Sequence, residues 1–320
     1  MGENVETLDQ NIEAMSDFAL CYVFQLGLKY DVFRRILWGR TRSKVVDEVM
    51  VSNKEYLEKL LDTYVSLGIL GEEGRQLRLN GFEYRFSMSP DDAGRLLPEW
   101  VELLEELYKM AGYAFISREH PKILMDFDKG ADFWDMRLLM GPYMLAREVA
   151  AGILRLEDGM RVLDLGCGSV SPVELGERVG PNGKYLGVDF SPGLLSIART
   201  RVKNSRMDWV YLKEMDIRKL VPKTSYDAVI MSFVLHYFEN PGAIVMKALQ
   251  MLEPGGKLVI IEPFRDEFPN VVALEFFESL TPEFVRFPRA SEVVESIERA
   301  PYDLRVERVG KSVLAVTSLG

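Results

Sequence analysis

From Met160 onward, short apolar runs alternate with stretches of helical periodicity, and few folds accommodate that pattern. Strands are predicted at 161–165, 184–189, 208–212, 226–232, 257–262, 303–309 and 312–317, with helices filling most of the gaps. Such alternation predicts an α/β architecture with a mostly parallel, doubly wound sheet of seven strands. The last two strands are joined only by Gly310-Lys311, too short a link for a crossover, so they are expected to form an antiparallel hairpin.

The first half of the chain reads differently. Residues 10–90 contain short helices followed by a small hairpin. Ser52, with Glu55 three residues later, has the form of a capping box. Leu57, Leu60, Leu61, Tyr64 and Val65 then recur at helical spacing. Gly68-Ile-Leu-Gly-Glu-Glu-Gly74 ends that helix and turns between two strands, the second being Gln76-Leu-Arg-Leu. Three helices and then a hairpin is the order of a winged helix. From Pro98 to Leu154 the pattern is helical again, with Trp100, Leu103, Leu104 and Leu107 on one apolar stripe and Met140, Tyr143, Met144 and Arg147 on a later helix. The expected organisation is therefore a mainly helical winged-helix domain at 1–90, a helical linker and pocket roof at 91–154, and the α/β domain at 155–320.

Two cysteines, Cys21 and Cys167, give no disulfide framework and fit a reducing cytoplasm. The longest apolar run, Phe18 to Phe33, is broken by Gln25, Lys29, Tyr30 and Asp31, so no membrane span is expected. A formal net charge of −10 argues against indiscriminate nucleic-acid binding. The stretch 29–44 is an exception: it holds Lys29, Arg34, Arg35, Arg40, Arg42 and Lys44 against Asp31 alone, a local excess of five positive charges. Abundant Glu, Arg and Lys with few Gln suit a heat-adapted organism.

The chemistry-bearing residues fall in the second half. Arg161-Val-Leu-Asp-Leu-Gly-Cys-Gly-Ser169 is a buried strand running into a glycine turn, where the backbone can approach a ligand. Asp189 ends the next strand, 25 residues after Asp164, the place at which an acid in a Rossmann-type unit accepts hydrogen bonds from a ribose diol. Glu214-Met-Asp216-Ile follows the third strand, where a carboxylate can accept from an adenine amino group. Tyr226-Asp-Ala-Val-Ile-Met-Ser-Phe-Val-Leu-His236 is the fourth, and Leu252-Glu-Pro-Gly-Gly-Lys-Leu-Val-Ile-Ile-Glu262 leads through the fifth. A nicotinamide dehydrogenase would want Gly-x-Gly-x-x-Gly, but Ser171 stands at its third glycine.

Taken in order, these five motifs resemble the class I S-adenosylmethionine-dependent methyltransferases over about residues 155–320. The resemblance implies a Rossmann-like fold and S-adenosylmethionine as cofactor. It assigns Asp164, Gly166, Cys167 and Gly168 to the methionine end, Asp189 to the ribose, and Phe190, Asp216 and Ile217 to the adenine, with Ser232 and Phe233 at the floor of the site. Val170 stands where that family's first loop commonly has a third glycine, so a different local turn is expected. Cys167 is expected to fill the turn. No metal is implied.

Methyl transfer is an in-line displacement, so the protein positions the acceptor and, where needed, removes its proton. His236 and Glu262 are the candidate bases. In winged-helix O-methyltransferases, which this chain resembles in architecture, a histidine at the corresponding place is the base, although their His-Asp-Trp is His236-Tyr-Phe here. Phe133, Trp134, Met140, Tyr143 and Tyr237 are candidate pocket residues. The acceptor stays open. RNA is favoured by the winged-helix order, the charges of Arg34, Arg35, Arg40, Arg42 and Lys44, and a second cluster at Arg199, Arg201, Lys203 and Arg206; an archaeal enzyme acting on an exocyclic amine of ribosomal cytidine is one form of that reading. The Asn/Asp/Ser-Pro-Pro-Tyr tetrad of many amino-methyltransferases is absent, with Ser232-Phe-Val-Leu in its place. The alternatives are a small-molecule O- or N-methyltransferase whose N-terminal domain makes a homodimer, as the resemblance implies, and a non-catalytic cofactor-binding regulator.

Overall fold

A computed structural model of the protein describes residues 2–37, 39–81, 90–119 and 125–319. The expected helical stretch 98–154 includes 120–124, which lie outside the described residues. The chain forms two compact units, one of Asn11–Met125 and Phe268–Pro282, the other of Met1–Gln10, Asp126–Glu267 and Glu283–Gly320.

The first helix, Gly2–Lys29, is not one of the short helices expected but runs for 28 residues. Its buried stripe of Val5, Leu8, Ile12, Met15, Ala19, Val23 and Leu26 keeps helical spacing throughout. Three shorter helices follow at Val32–Ile36, Arg42–Glu48 and Lys54–Ser66. Strands β1 (Leu70–Glu73) and β2 (Gln76–Leu79) then pair antiparallel, from Leu70 opposite Leu79 to Glu73 opposite Gln76. Thr41 adds a single antiparallel bridge to Gln76. Leu57, Leu60, Leu61 and Tyr64 are buried as their spacing predicts, and the Tyr64 hydroxyl donates to the Val23 carbonyl at 2.7 Å. The stripe Trp100, Leu103, Leu104 and Leu107 is buried on the helix Glu99–Ala114, where Trp100 Nε1 donates to Asn11 Oδ1 at 3.0 Å.

The capping box expected at Ser52 is not formed. Asn53 is the cap: its backbone is extended and its Oδ1 accepts from Tyr56 N at 3.3 Å, while Nδ2 donates to the Ala114 carbonyl at 2.8 Å. Ser52 is exposed, one residue too early for its hydroxyl to face the first turn.

The other unit is built on a seven-stranded sheet in the order β5-β4-β3-β6-β7-β9-β8. These strands are β3 (Arg161–Leu165), β4 (Lys184–Asp189), β5 (Val210–Glu214), β6 (Tyr226–Ser232), β7 (Leu252–Ile261), β8 (Leu304–Arg308) and β9 (Val313–Ser318). The first five are mutually parallel. Strand β9 is antiparallel to both β7 and β8, so the short Gly310-Lys311 link makes the expected hairpin. This is the Rossmann-like, doubly wound sheet read from the sequence. Leu163, Leu165, Val229, Met231, Leu258, Ile260, Leu314 and Val316 form its core with Ile244, Val245, Val293 and Ile297 from the covering helices. Parallel strands are covered on both faces, which explains why Val-Ile-Met and Leu-Val-Ile-Ile run without polar alternation.

Two strands differ from expectation by more than one residue, and β8 and β9 by one. Strand β5 starts at Val210, because Arg206 is left-handed and a turn closed by Val210 N to Met207 O occupies the preceding residues. Strand β7 begins at Leu252, with an irregularity in its register to β6 that absorbs the Glu-Pro-Gly-Gly segment. Chain order reverses across β3: β4 and β5 lie on one side of it, β6 and β7 on the other. A crevice at such a reversal, at the carboxyl ends of the strands, is where α/β sheets bind ligands.

Replacing Asn53 by Ala should destabilise the helical unit by about 1–2 kcal/mol, the usual worth of an N-cap, whereas Ser52→Ala should change stability by less than about 0.5 kcal/mol. Urea denaturation followed by circular dichroism compares the two; equal effects would return the cap to Ser52.

Candidate active site

Three strand ends meet at the reversal. After β3, Gly166 and Gly168 are both left-handed, with φ of 79° and 58°. A Cβ on Gly166 would lie 2.7 Å from Val234 Cγ2, and one on Gly168 would lie 2.8 Å from Leu138 Cδ1. Dihedral and space therefore both demand glycine. Val170 has φ −107° in the right-handed region as it leads into the helix Ser171–Val179, so a third glycine is not needed in this turn. Cys167 is buried with its Sγ over Gly187, and burial pushes its thiol well above the ordinary range. It fills the turn, as expected.

Asp189 ends β4 with its carboxylate folded under the glycine loop. Oδ2 accepts from Gly168 N at 2.8 Å and Oδ1 from Ser191 N at 2.9 Å. Burial raises its pKa, opposed by those amides. Asp164 is also buried; its Oδ2 accepts from the Tyr185 hydroxyl at 2.5 Å. Burial pushes its carboxyl up to about 7, against the pull of Tyr185 and Arg147. Asp216 caps the turn Ile217–Lys219 by accepting from Arg218 N at 2.8 Å, and the Arg218 guanidinium beside it holds its carboxyl below the usual range. Ile217 is part of the hydrophobic core, while Phe190 is 42% exposed with its ring edge-on to Phe127 at 5.3 Å.

After β6 the chain turns sharply. Ser232 ends the strand, and Phe233 adopts φ 52°, a left-handed conformation that a bulky side chain takes only under constraint. The constraint is Glu262, fully buried just past β7. Its Oε1 accepts from Val234 N at 2.7 Å and Leu235 N at 2.6 Å, and its Oε2 lies 2.7 Å from His236 Nδ1. His236 sits in the short turn Leu235–Tyr237 and is buried. Around its ring are Tyr237 at 4.2 Å, Phe287 at 5.4 Å and Phe284 at 5.6 Å between centroids. Histidine and glutamate, read separately as bases from the sequence, thus form one pair.

The aromatic residues expected in the pocket lie in the same unit. Trp134 stacks on Phe127 at 4.4 Å, and Phe127 is edge-on to Tyr237 at 5.4 Å. Phe133 meets Trp134 edge-on at 6.5 Å, and Tyr143 meets Phe233 edge-on at 5.2 Å. Arg137 lies over the Trp134 and Tyr143 rings and donates from Nε to the Tyr143 hydroxyl at 2.6 Å. Met140 is not within a helix but caps Gly141–Leu154 with an extended backbone. Sequence reading missed Phe127, Arg137, Tyr185, Phe284 and Phe287. For Phe284 and Phe287 the aromatic pair in Phe-Val-Arg-Phe was the available signal; for the others spacing gave none.

The basic run at 29–44 is less positive than its count. Arg34 pairs with Asp31 at 2.7 Å, and Arg35 reaches both Asp31 and Glu48 at 3.4 Å. Arg40 also pairs with Glu48. Arg42 is held by Glu58 at 3.1 Å, Asp62 at 2.6 Å and Glu72 at 2.7 Å. Lys44 is exposed. In the second basic cluster Arg201 pairs with Asp135 and donates to the Ser169 carbonyl at 3.2 Å. Among the described residues no three His, Cys, Asp or Glu side chains gather as a metal site, and no helix is long and apolar enough to cross a membrane.

A family model described as a methyltransferase domain matches residues 156–294. An uncharacterized protein of Methanocaldococcus jannaschii is 31% identical, over 99% of this chain and 87% of its own length. The demethylmenaquinone methyltransferase of Halalkalibacterium halodurans is 29% identical over 39% of this chain and 51% of that protein. Among solved structures, the CurJ carbon methyltransferase superimposes with a TM-score of 0.63, covering 99% of this chain and 92% of the other at 15% identity. An O-methyltransferase family 2 protein of Planctomyces limnophilus in complex with apigenin gives 0.53, covering 98% and 95% at 16% identity. Residues 156–294 are a class I S-adenosylmethionine-dependent methyltransferase domain, with S-adenosylmethionine as its cofactor. Over 99% of its length the chain shares a family with the Methanocaldococcus jannaschii protein.

Replacing Glu262 by Ala removes the acceptor of three hydrogen bonds and should destabilise the sheet unit by about 3 kcal/mol or more. Glu262→Gln keeps one oxygen for the two amides and should lose clearly less. Urea denaturation orders the variants, and an Ala variant as stable as the parent would deny the carboxylate its structural role.

Proposed function

We propose that this chain methylates a hydroxyl on a flat, aromatic small molecule, with His236 as general base and Glu262 as the residue that positions it. The observation carrying this reading is the 2.7 Å contact between His236 Nδ1 and the buried Glu262 carboxylate. A carboxylate at that distance takes the Nδ1 proton as a hydrogen bond and so leaves Nε2 with the lone pair that accepts a proton. Glu262 is already engaged by two amides and the imidazole, which suits it to hold the ring and not to act as base itself.

S-adenosylmethionine supplies the electrophilic methyl group when bound. Gly166 and Gly168 fit it, because their left-handed backbone makes the tight turn after β3 with no side chain over the main-chain amides, and Asp189 is the acid suited to a ribose diol. We assign Asp164 and the glycine loop to its methionine end, and Phe190 with Asp216 to its adenine. Phe127, Trp134, Tyr143 and Tyr237 would hold a flat acceptor by ring contacts while excluding water from the proton transfer. The demethylmenaquinone methyltransferase named above is, by its name, an enzyme acting on a small molecule.

The RNA reading rested on the winged-helix order and the cluster of Arg199, Arg201, Lys203 and Arg206 as well as on positive charge at 34–44. Arg34, Arg35, Arg40 and Arg42 are each held by carboxylates, which removes most of what would neutralise phosphates. The helices, hairpin and Thr41 bridge of the N-terminal segment support a winged helix, and we read it as a homodimerisation element, testable by light scattering. Tritium transfer from labelled cofactor into total RNA, ribosomal subunits and a low-molecular-weight extract tests the acceptor: label is expected in the extract, and label in RNA would sink the proposal. With an acceptor in hand, His236→Ala should lower kcat about 100- to 10,000-fold while cofactor affinity stays near normal. Turnover close to that of the parent would remove His236 as base.

A further inference from the structure

Strands β3 and β4 place Tyr185 opposite Val162 and Gly187 opposite Asp164, all on one face. The phenol of Tyr185 reaches along that face to Asp164, while Cys167 and Leu212 close over Gly187. Tyr185 is fully buried, and its hydroxyl lies 2.5 Å from Asp164 Oδ2. Asp164 precedes the glycine loop by two residues, and the reaction described above makes no use of this acid–phenol pair. We propose that Tyr185 is a positioning residue for cofactor binding, its hydroxyl holding Asp164 in the carboxylate form that the cationic methionine end of S-adenosylmethionine prefers. This rests on the assignment of Asp164 to that end of the cofactor.

The surroundings of Asp164 leave Tyr185 as its one neutral donor among the described contacts. Asp189, from the end of β4, works against ionisation, and Cys167 is a neutral thiol. Arg147, from the helix Gly141–Leu154, favours the carboxylate, but it is itself bonded to Glu174 of the helix Ser171–Val179 at 2.5 Å. On β6, Asp227 sits at the opposite end of the strand and accepts from Arg161 N at 2.7 Å. Burial pushes the Asp164 carboxyl up to about 7, so the group is balanced between its two forms near neutral pH. A hydrogen bond that favours the charged form lowers the pKa, so its loss must raise it further. Removing one donor from a buried carboxylate is worth about one pH unit.

The experiment measures S-adenosylmethionine affinity of the full chain by calorimetry from pH 5.5 to 9, for the parent and Tyr185→Phe. Taking the ratio of the two affinities cancels the cofactor's own titration. The ratio should be about tenfold in favour of the parent below pH 6, about fivefold at pH 7, and close to one at pH 9, where Asp164 is ionised in both. Asp164→Asn, with the same shape and no titrating proton, should erase this dependence. Thermal melts confirm that each variant is folded. A ratio that stays constant across the range would mean that Tyr185 only packs, and would overturn the inference. A parent that does not bind the cofactor at any pH would instead overturn the underlying assignment.

Discussion

A carboxylate taken wholly out of water is expensive, and it stays ionised only where donors replace its hydration. Glu262 is in that position at the end of β7, and the donors that satisfy it are the backbone amides of Val234 and Leu235 and the ring of His236. Those amides can converge on one oxygen only if the chain reverses immediately after β6. Phe233 therefore takes a left-handed conformation worth about 1–3 kcal/mol of strain, less than the hydrogen bonds it permits. Everything downstream in the loop, including the place of the histidine, follows from that one buried charge.

The end of β4 uses the same device with a different donor set. Asp189 accepts from Gly168 and Ser191, so the glycine loop and the start of the next helix are tied to one carboxylate. Ser169 extends the connection by donating to Asp135 at 2.6 Å, and Arg201 joins them. The helix Ala131–Leu138, which carries Phe133 and Trp134, is thus fastened to the loop through charge-assisted bonds as well as by Leu138 against Gly168. Aromatic side chains held by such a helix keep their ring planes fixed, which would let a flat acceptor of the proposed kind be oriented at a smaller entropy cost.

The sheet was legible because its information is local. Doubly covered strands must be continuously apolar, and a Gly-x-Gly after such a strand leaves little choice of turn. The hairpin at 310–311 followed from link length alone. What was not legible depends on partners distant in sequence. His236 and Glu262 are 26 residues apart and meet only because β6 and β7 pair with Ser232 opposite Ile261. The charge of the 29–44 run was overestimated for the same reason: Glu48, Glu58, Asp62 and Glu72, which neutralise it, lie outside the counted window. At Ser52 the error was of one residue. Both Ser and Asn suit an N-cap, and the carbonyl of Ala114, which selects Asn53 by taking its amide, cannot be seen in the local sequence.

The two buried acids of this site also differ in a way that separates their tasks. Glu262 meets main-chain amides and an imidazole, all held by the fold, so its orientation is set before any ligand arrives. Asp164 has a single side-chain hydroxyl and stands near the middle of its titration at neutral pH. A fixed carboxylate suits His236 as the proposed base, since its lone pair would have to point in one direction for proton transfer to be efficient. On the proposed assignment Asp164 faces the methionine end of the cofactor, which loses positive charge when the sulfonium becomes a thioether. The carboxylate form of Asp164 would then favour the more cationic donor over the spent product, by a charge difference that neutral hydrogen-bonding groups could not read.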